Sequence, residues 1–163
     1  MPRVVAYTPV AGGNTPGHRG GKALRLVVDT DVVAAALLGE DRRGREAERL
    51  LVGLAEALMP SHWKAEFANV VWKAARAGRL PIDCVEKIMT TASRLPVHSV
   101  AVDRLWKGAV ARAIATDHPV YDTLFVELAV RQRLPLVSYD RALQKHFPEV
   151  VLRPSEIAPR GKQ

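Results

Sequence analysis

The stretch Leu24-Arg25-Leu26-Val27-Val28-Asp29-Thr30-Asp31-Val32-Val33 decides the fold class. Leu24 to Val28 is a short run rich in branched apolar residues, which predicts a strand buried on both faces. Two acids follow it at once, Asp29 and Asp31, and the pattern from Val32 to Leu38 is helical. Leu134 to Ser138 is a second run of the same kind, followed by Asp140 and a short helical stretch to His146.

Between these two runs, strands and helices alternate. Asp41 to Gly44 reads as a charged loop, and Arg45 to Ala57 as a helix with Ala47, Leu50, Leu51, Leu54 and Leu58 in one stripe. Leu58-Met59 is a very short strand. Ser61 is placed to cap a helix running to about Ala77 and closed by Gly78. Pro81 opens another helix, with Val85, Ile88, Met89 and Ala92 turned inward. Val97 to Val102 is extended, Asp103 to Thr116 helical, Pro119 stands near the start of a helix reaching Arg133, and Val150 to Leu152 is a last strand. This alternation predicts an α/β layered domain with a mostly parallel sheet and right-handed crossovers.

Composition narrows the function classes. At 163 residues the chain fits one domain, and 48% hydrophobic with 25% charged residues excludes wholesale disorder. No apolar run approaches the roughly 18 to 20 residues that span a bilayer, and Gly12, Gly13, Asn14 and Pro16 interrupt any secretory signal. One cysteine, Cys84, makes neither an internal disulfide nor a cysteine metal site, which fits a reducing cytoplasm. The net charge of +7 leans toward a polyanionic partner. Residues 1–23 carry Pro2, Pro9, Pro16, Arg3, Arg19 and Lys22 with no acid, and are expected to form a flexible basic arm or an upstream start outside the fold. Gly20-Gly21-Lys22 is no phosphate loop, because Ala23 and Pro16 stand where a hydroxyl and a glycine are needed. The folded domain is expected over 24–154, with a C-terminal tail at 155–163.

The acids carry the chemistry. In open parallel sheets ligands bind outside the carboxyl ends of strands, where Asp29 and Asp140 fall. Glu66, with Trp63 before it and Val70 after it, and Asp122, beneath Phe125 and Val126, are expected on the inward sides of their helices. Two carboxylates about 4 Å apart repel by roughly 4 kcal/mol at an effective dielectric of 20, so converging acids imply a cation between them. With oxygen ligands, no cysteine and no suitably spaced histidine, that ion is magnesium or manganese rather than zinc. Each acid also has a plainer reading. Asp140 fits an N-cap, Asp122 a helix dipole, and Glu66 an exposed stem beside Lys73. Asp29 has no local capping reason.

At these residues the chain resembles the PIN-domain proteins, specifically the VapC-type ribonucleases of toxin–antitoxin pairs, over about Leu24 to Pro154. Four segments carry the likeness: Val27–Val33, Ala65–Val70 followed by Arg76-Ala77-Gly78-Arg79-Leu80, Tyr121–Ala129, and Leu134–Leu143. The resemblance implies a three-layer PIN-like fold, with four or five short strands flanked by about seven helices. It also implies an acidic centre of Asp29, Glu66, Asp122 and Asp140, serving as metal ligands and catalytic residues. Ser138 matches a position that often holds a hydroxyl near the metal water. Asp31 replaces a small polar residue and is expected to cap the helix from Val32.

The implied activity is metal-dependent endoribonuclease hydrolysis of RNA phosphodiester bonds, leaving a 5′-phosphate and a 3′-hydroxyl. One or two Mg²⁺ or Mn²⁺ ions would set positive charge at the phosphate and ionise water. Arg42, Arg43, Arg45 and Arg141 are candidates for flanking phosphates or simply solvated charge. Trp63 and Trp72 read as core or interface, and Cys84 and His98 as structural. A cytoplasmic homodimer and a cognate antitoxin are the implied partners, on apolar surfaces of the Arg45–Leu58 and Pro81–Leu95 helices. Two alternatives remain. One is a haloacid-dehalogenase-like phosphatase with Asp29 as nucleophile; the other is a PIN fold that binds RNA or a partner without catalysis.

Overall fold

The computed structural model describes residues 24–157; the expected basic arm at 1–23 and the end of the expected tail, 158–163, lie outside the described residues. β1 (Arg25–Val28) forms as the apolar run predicts, with Leu26, Val27 and Val28 essentially inaccessible. It is the middle strand of a five-stranded, wholly parallel sheet ordered β3-β2-β1-β4-β5, in which β2 is Glu56–Pro60, β3 Val97–Val100, β4 Leu136–Val137 and β5 Val151–Leu152. Among the described residues, seven α-helices pack with these strands in three layers.

From β1 the chain passes outward to β2 and β3, then returns to lay β4 on the other side of β1. The strand order therefore reverses between β1 and β4, and a crevice opens at the carboxyl ends of these two strands. Right-handed crossovers put the helices of the two outward connections on one face and those of the return on the other. On the first face lie α1 (Thr30–Leu38), α2 (Arg42–Val52), α3 (Trp63–Arg76) and α4 (Ile82–Ser93). On the second lie α5 (Trp106–Thr116), α6 (Val120–Gln132) and α7 (Arg141–His146). α6 is buried without interruption from Thr123 to Ala129 and lies across β1, β2 and β4. Within it Glu127 is buried between Arg112 at 2.8 Å and Arg131 at 2.5 Å, and Gly108 of α5 leaves room for its carboxylate.

Several boundaries differ from expectation. Asp41 to Gly44 is not a loop: α2 starts at Arg42, because Asp41 Oδ1 accepts the Gly44 N–H at 2.9 Å as an N-cap. Nor does that helix reach Ala57. It stops at Gly53, and Ala57 and Leu58 belong to β2, since an apolar run of this length cannot by itself separate helix from strand. Ser61 caps nothing; its N–H donates to the Val100 carbonyl at 2.7 Å and prolongs the β2–β3 ladder, so His62 takes the cap position of α3. Gly78 does close α3, with φ of 68°. Trp63 is core, its Nε1 donating to Ser99 Oγ at 3.0 Å, but Trp72 is 54% exposed beneath Arg76.

Candidate metal centre

The sheet places the first pair of residues by register alone. Val27 pairs with Leu136 and Val28 with Val137, so the next residues along, Asp29 and Ser138, stand side by side past the strand ends. The Asp29 N–H extends the ladder to the Val137 carbonyl at 2.9 Å. Ser138 Oγ then donates to Asp29 Oδ2 at 2.7 Å and accepts the Asp140 N–H at 3.0 Å. One hydroxyl, fully buried, thus links two acids 111 positions apart (140 less 29).

Asp29, not Asp31, occupies the N-cap of α1, its Oδ1 accepting the Asp31 N–H at 3.5 Å. The expectations that Asp31 caps this helix and that Asp29 has no capping role are both overturned. Asp31 lies in the first turn and its carboxylate turns across to β4, accepting the Tyr139 N–H at 3.0 Å. Asp140 has its expected local role, capping α7 through the Ala142 and Leu143 N–H groups at 2.6 and 3.2 Å. Glu66 flanks the buried side of α3, which is Trp63, Phe67, Val71 and Ala74. It is half-buried, accepting the Thr30 hydroxyl at 2.6 Å with His62 Nε2 3.4 Å away. Asp122 lies in the first turn of α6, its Oδ2 3.2 Å from His118 Nε2.

Charge repulsion records the convergence. Burial first, then the charge of Asp31, holds the Asp29 carboxyl well above the ordinary range, and Asp122 adds to this while the Ser138 hydroxyl opposes it. Asp31 is pushed up to about 6 by burial, with Asp140 adding and Tyr139 and Arg43 opposing. Burial also raises Asp122, reinforced by Asp140 and Glu66 against His118. Glu66 alone is lowered: burial would raise it, but His62 and Thr30 outweigh that. Five carboxylates therefore face one crevice.

Two histidines are an addition. Among the described residues one tight set of possible metal donors occurs, His118, Asp122 and Asp140, with one ligating atom from each within 4.8 Å of the others. The expectation that no suitably spaced histidine exists is therefore corrected. The signal was legible: His62 and His118 each precede an acid by four residues. Both His62 nitrogens and His118 Nε2 are buried without a hydrogen bond of good geometry among the described residues, although His62 Nε2 and His118 Nε2 approach Glu66 and Asp122 to 3.4 and 3.2 Å. Repelling carboxylates together with an orphaned imidazole nitrogen fit a divalent cation. Asp29 and Glu66 stand outside the tight set.

The arginines separate into two groups. Arg43 and Arg141, with Arg153, Tyr139 and Gln144, line a recess of about 250 Å³ beside the start of α7. The Arg43 guanidinium lies 4.2 Å over the Tyr139 ring, whose hydroxyl donates to the Arg43 carbonyl at 2.9 Å. Arg45 instead braces the Glu40 carbonyl at 2.8 Å, and Arg42 is exposed on α2 outside the recess. Arg153 had no sequence signal.

Comparison with known proteins gives three results. The sequence profile of the PIN domain matches residues 26–148. The chain is 34% identical over 132 residues to "Ribonuclease VapC3" of Pyrobaculum aerophilum, covering 78% of this chain and 98% of that protein. In structure it is similar to a chain of a "Toxin-antitoxin complex from Klebsiella pneumoniae", with a TM-score of 0.53 and 17% identity over 79% of this chain and 97% of the other. The last likeness bears on fold alone.

Proposed function

From the premise that this chain belongs to the PIN-domain family, we propose that it is a divalent-cation-dependent endoribonuclease and the toxin of a toxin–antitoxin pair. The observation that carries this reading is the crowding of Asp29, Asp31, Glu66, Asp122 and Asp140 at the one crevice where the strand order reverses. A crevice so acidic repels RNA unless a cation is held in it. The residues that would hold one are Asp122, Asp140 and Asp29, with Glu66 at the margin. When bound, a divalent cation offsets charge on the phosphate and lowers the proton affinity of water.

The chain's own groups do the rest. Ser138 fixes the Asp29 carboxylate, so its oxygens need no reorganisation when substrate arrives. Glu66, anchored through Thr30 and ionised at neutral pH, is suited to orient an attacking water. Arg43, Arg141 and Arg153 offer their recess to phosphates flanking the scissile bond. The relative named a VapC ribonuclease supports the same substrate class.

An antitoxin partner and a homodimer belong to this reading. Val52 and Ile82 stand out from α2 and α4, and Trp106, Val110 and Ile114 recur every four residues on the outside of α5. Among the described residues no helix is long and apolar enough to cross a membrane. The phosphatase alternative requires Asp29 free to attack, whereas Asp29 is buried and accepts a hydrogen bond from Ser138.

The test is to incubate the purified chain with a mixed-sequence RNA and, separately, with a small phosphate monoester. RNA cleavage that stops in EDTA and returns with Mn²⁺ or Mg²⁺, without hydrolysis of the monoester, is the expected result. Cleavage indifferent to chelator overturns the cation, and monoester hydrolysis without RNA cleavage overturns the nuclease.

A further inference from the structure

Resting on that reading, we propose that His118 is itself a ligand of the cation through Nε2, making the centre a mixed nitrogen–oxygen site that favours Mn²⁺ over Mg²⁺. The His118 side chain is 8% exposed, and its Nε2 is buried with no hydrogen-bond partner among the described residues. Its approach to Asp122 is close without hydrogen-bond geometry, and a buried polar atom left so is stabilised when it binds an ion. Nε2 is 3.2 Å from Asp122 Oδ2, and His118, Asp122 and Asp140 each offer one ligating atom within 4.8 Å of the others. Donors about 2.1 Å from one ion stand roughly 3 Å apart when adjacent and roughly 4.2 Å when opposed. The set therefore closes round a single cation with little movement.

The backbone holds the imidazole in this place. Asp117 takes the left-handed conformation at φ 51° and ends α5, and the His118 N–H then returns to the Ala113 carbonyl at 3.1 Å. Pro119, at φ −56°, opens α6 directly afterwards, so His118 sits beneath the turn that carries Asp122. His146, the last residue of α7, packs edge-on against the His118 ring at 5.8 Å. His118 is thus wedged between the two helices that supply the acids.

The metal preference follows from ligand chemistry. Mg²⁺ takes oxygen and water and gains little from imidazole, whereas Mn²⁺, though it too prefers oxygen, is a first-row transition ion that gains from one nitrogen ligand. In an all-carboxylate site the two ions compete on oxygen donors alone. His118 breaks that parity.

The experiment uses the full chain, with Mn²⁺ and Mg²⁺ as probes. Calorimetry gives affinities for wild type, His118→Gln and Asp140→Asn, and pulsed electron paramagnetic resonance on the Mn²⁺ complex reads directly bound nitrogen. The expected result is ¹⁴N coupling in wild type that is absent in His118→Gln. Mn²⁺ affinity in that variant should fall roughly tenfold or more, with Mg²⁺ affinity little changed and metal-free melting no lower. Mn²⁺ bound without ¹⁴N coupling, coupling that persists in His118→Gln, or unchanged Mn²⁺ affinity in that variant each overturns the proposal. Mn²⁺ binding that needs Asp140 but shows no nitrogen leaves the nuclease reading standing, whereas no divalent binding at all removes both.

Discussion

The Ser138 hydroxyl donates to Asp29 at 2.7 Å across the junction of β1 and β4, joining the first acid of the crevice to the last. Ser138→Ala removes that donor from a fully buried position and leaves the Asp140 N–H without its acceptor. The variant should lose about 1–3 kcal/mol of stability, seen as a melting temperature lower by roughly 2–12 °C. It should also bind Mn²⁺ more weakly, because the Asp29 carboxylate is no longer fixed. Melting and metal affinity both equal to wild type would mean the hydroxyl bond is not formed in solution.

Protonation should govern the metal-free protein. Asp31 titrates near 6 when folded against an ordinary value of 3.8, and Asp29 is raised too. Between those limits the folded chain binds more protons than the unfolded one, so stability falls as pH rises; the Asp31 share of that loss is complete above about 6, and the raised Asp29 acts in the same sense. Glu66 and Glu127, both lowered, act in the opposite sense only at lower pH. In EDTA the melting temperature should therefore drop between pH 5 and 7. Asp31→Asn should melt a few degrees above wild type at pH 7, with the gap closing toward pH 5. A gap that stays constant across this range contradicts the assignment.

The corner between α1 and α2 is a packing test. A Cβ on Gly44 would overlap the Gly39 carbonyl oxygen, while one on Gly53 meets nothing nearer than 3.5 Å. Gly44→Ala should cost roughly 1–3 kcal/mol; Gly53→Ala, at an ordinary helical φ, should be neutral or gain up to about 1 kcal/mol. Thermal melts of the two variants side by side decide it, and equal melting temperatures would contradict this geometry.

The arginine recess should reveal itself in salt dependence. Replacing Arg43 and Arg141 by alanine removes two cations from the recess. RNA affinity in the absence of divalent ions should fall, and the slope of log affinity against log salt should flatten by about 0.7 per lost phosphate contact. Fluorescence anisotropy with a labelled single strand reads both quantities. Arg42→Ala, outside the recess, is the control and should change neither.

Much of this was legible in the residues. The runs at Leu26–Val28 and Leu136–Val137 read as strands because they are short and rich in branched residues, and an acid after each marks the crevice. Glu66 and Asp122 were legible through the apolar residues spaced three and four positions from them on their helices. The role of Asp31 was hidden, because its partner is a backbone N–H 108 positions away. His118 meets Asp122 at a visible spacing, yet its burial against His146 and its approach to Asp140 depend on how α6 and α7 meet. The limits of α2 were obscured because Leu54 and Leu58 continue its apolar stripe beyond Gly53, where the chain has already turned toward β2.

The most direct test is the melting temperature of wild type and an Asp122→Asn, Asp140→Asn double variant, each in EDTA and with Mn²⁺. Wild type should gain about 2.7 kcal/mol at 100 times its dissociation constant. The double variant should start higher in EDTA, because two repelling carboxylates are gone, and gain nothing from the ion. A wild type unmoved by Mn²⁺, or a double variant stabilised as much as wild type, would contradict the acidic crevice as a cation site.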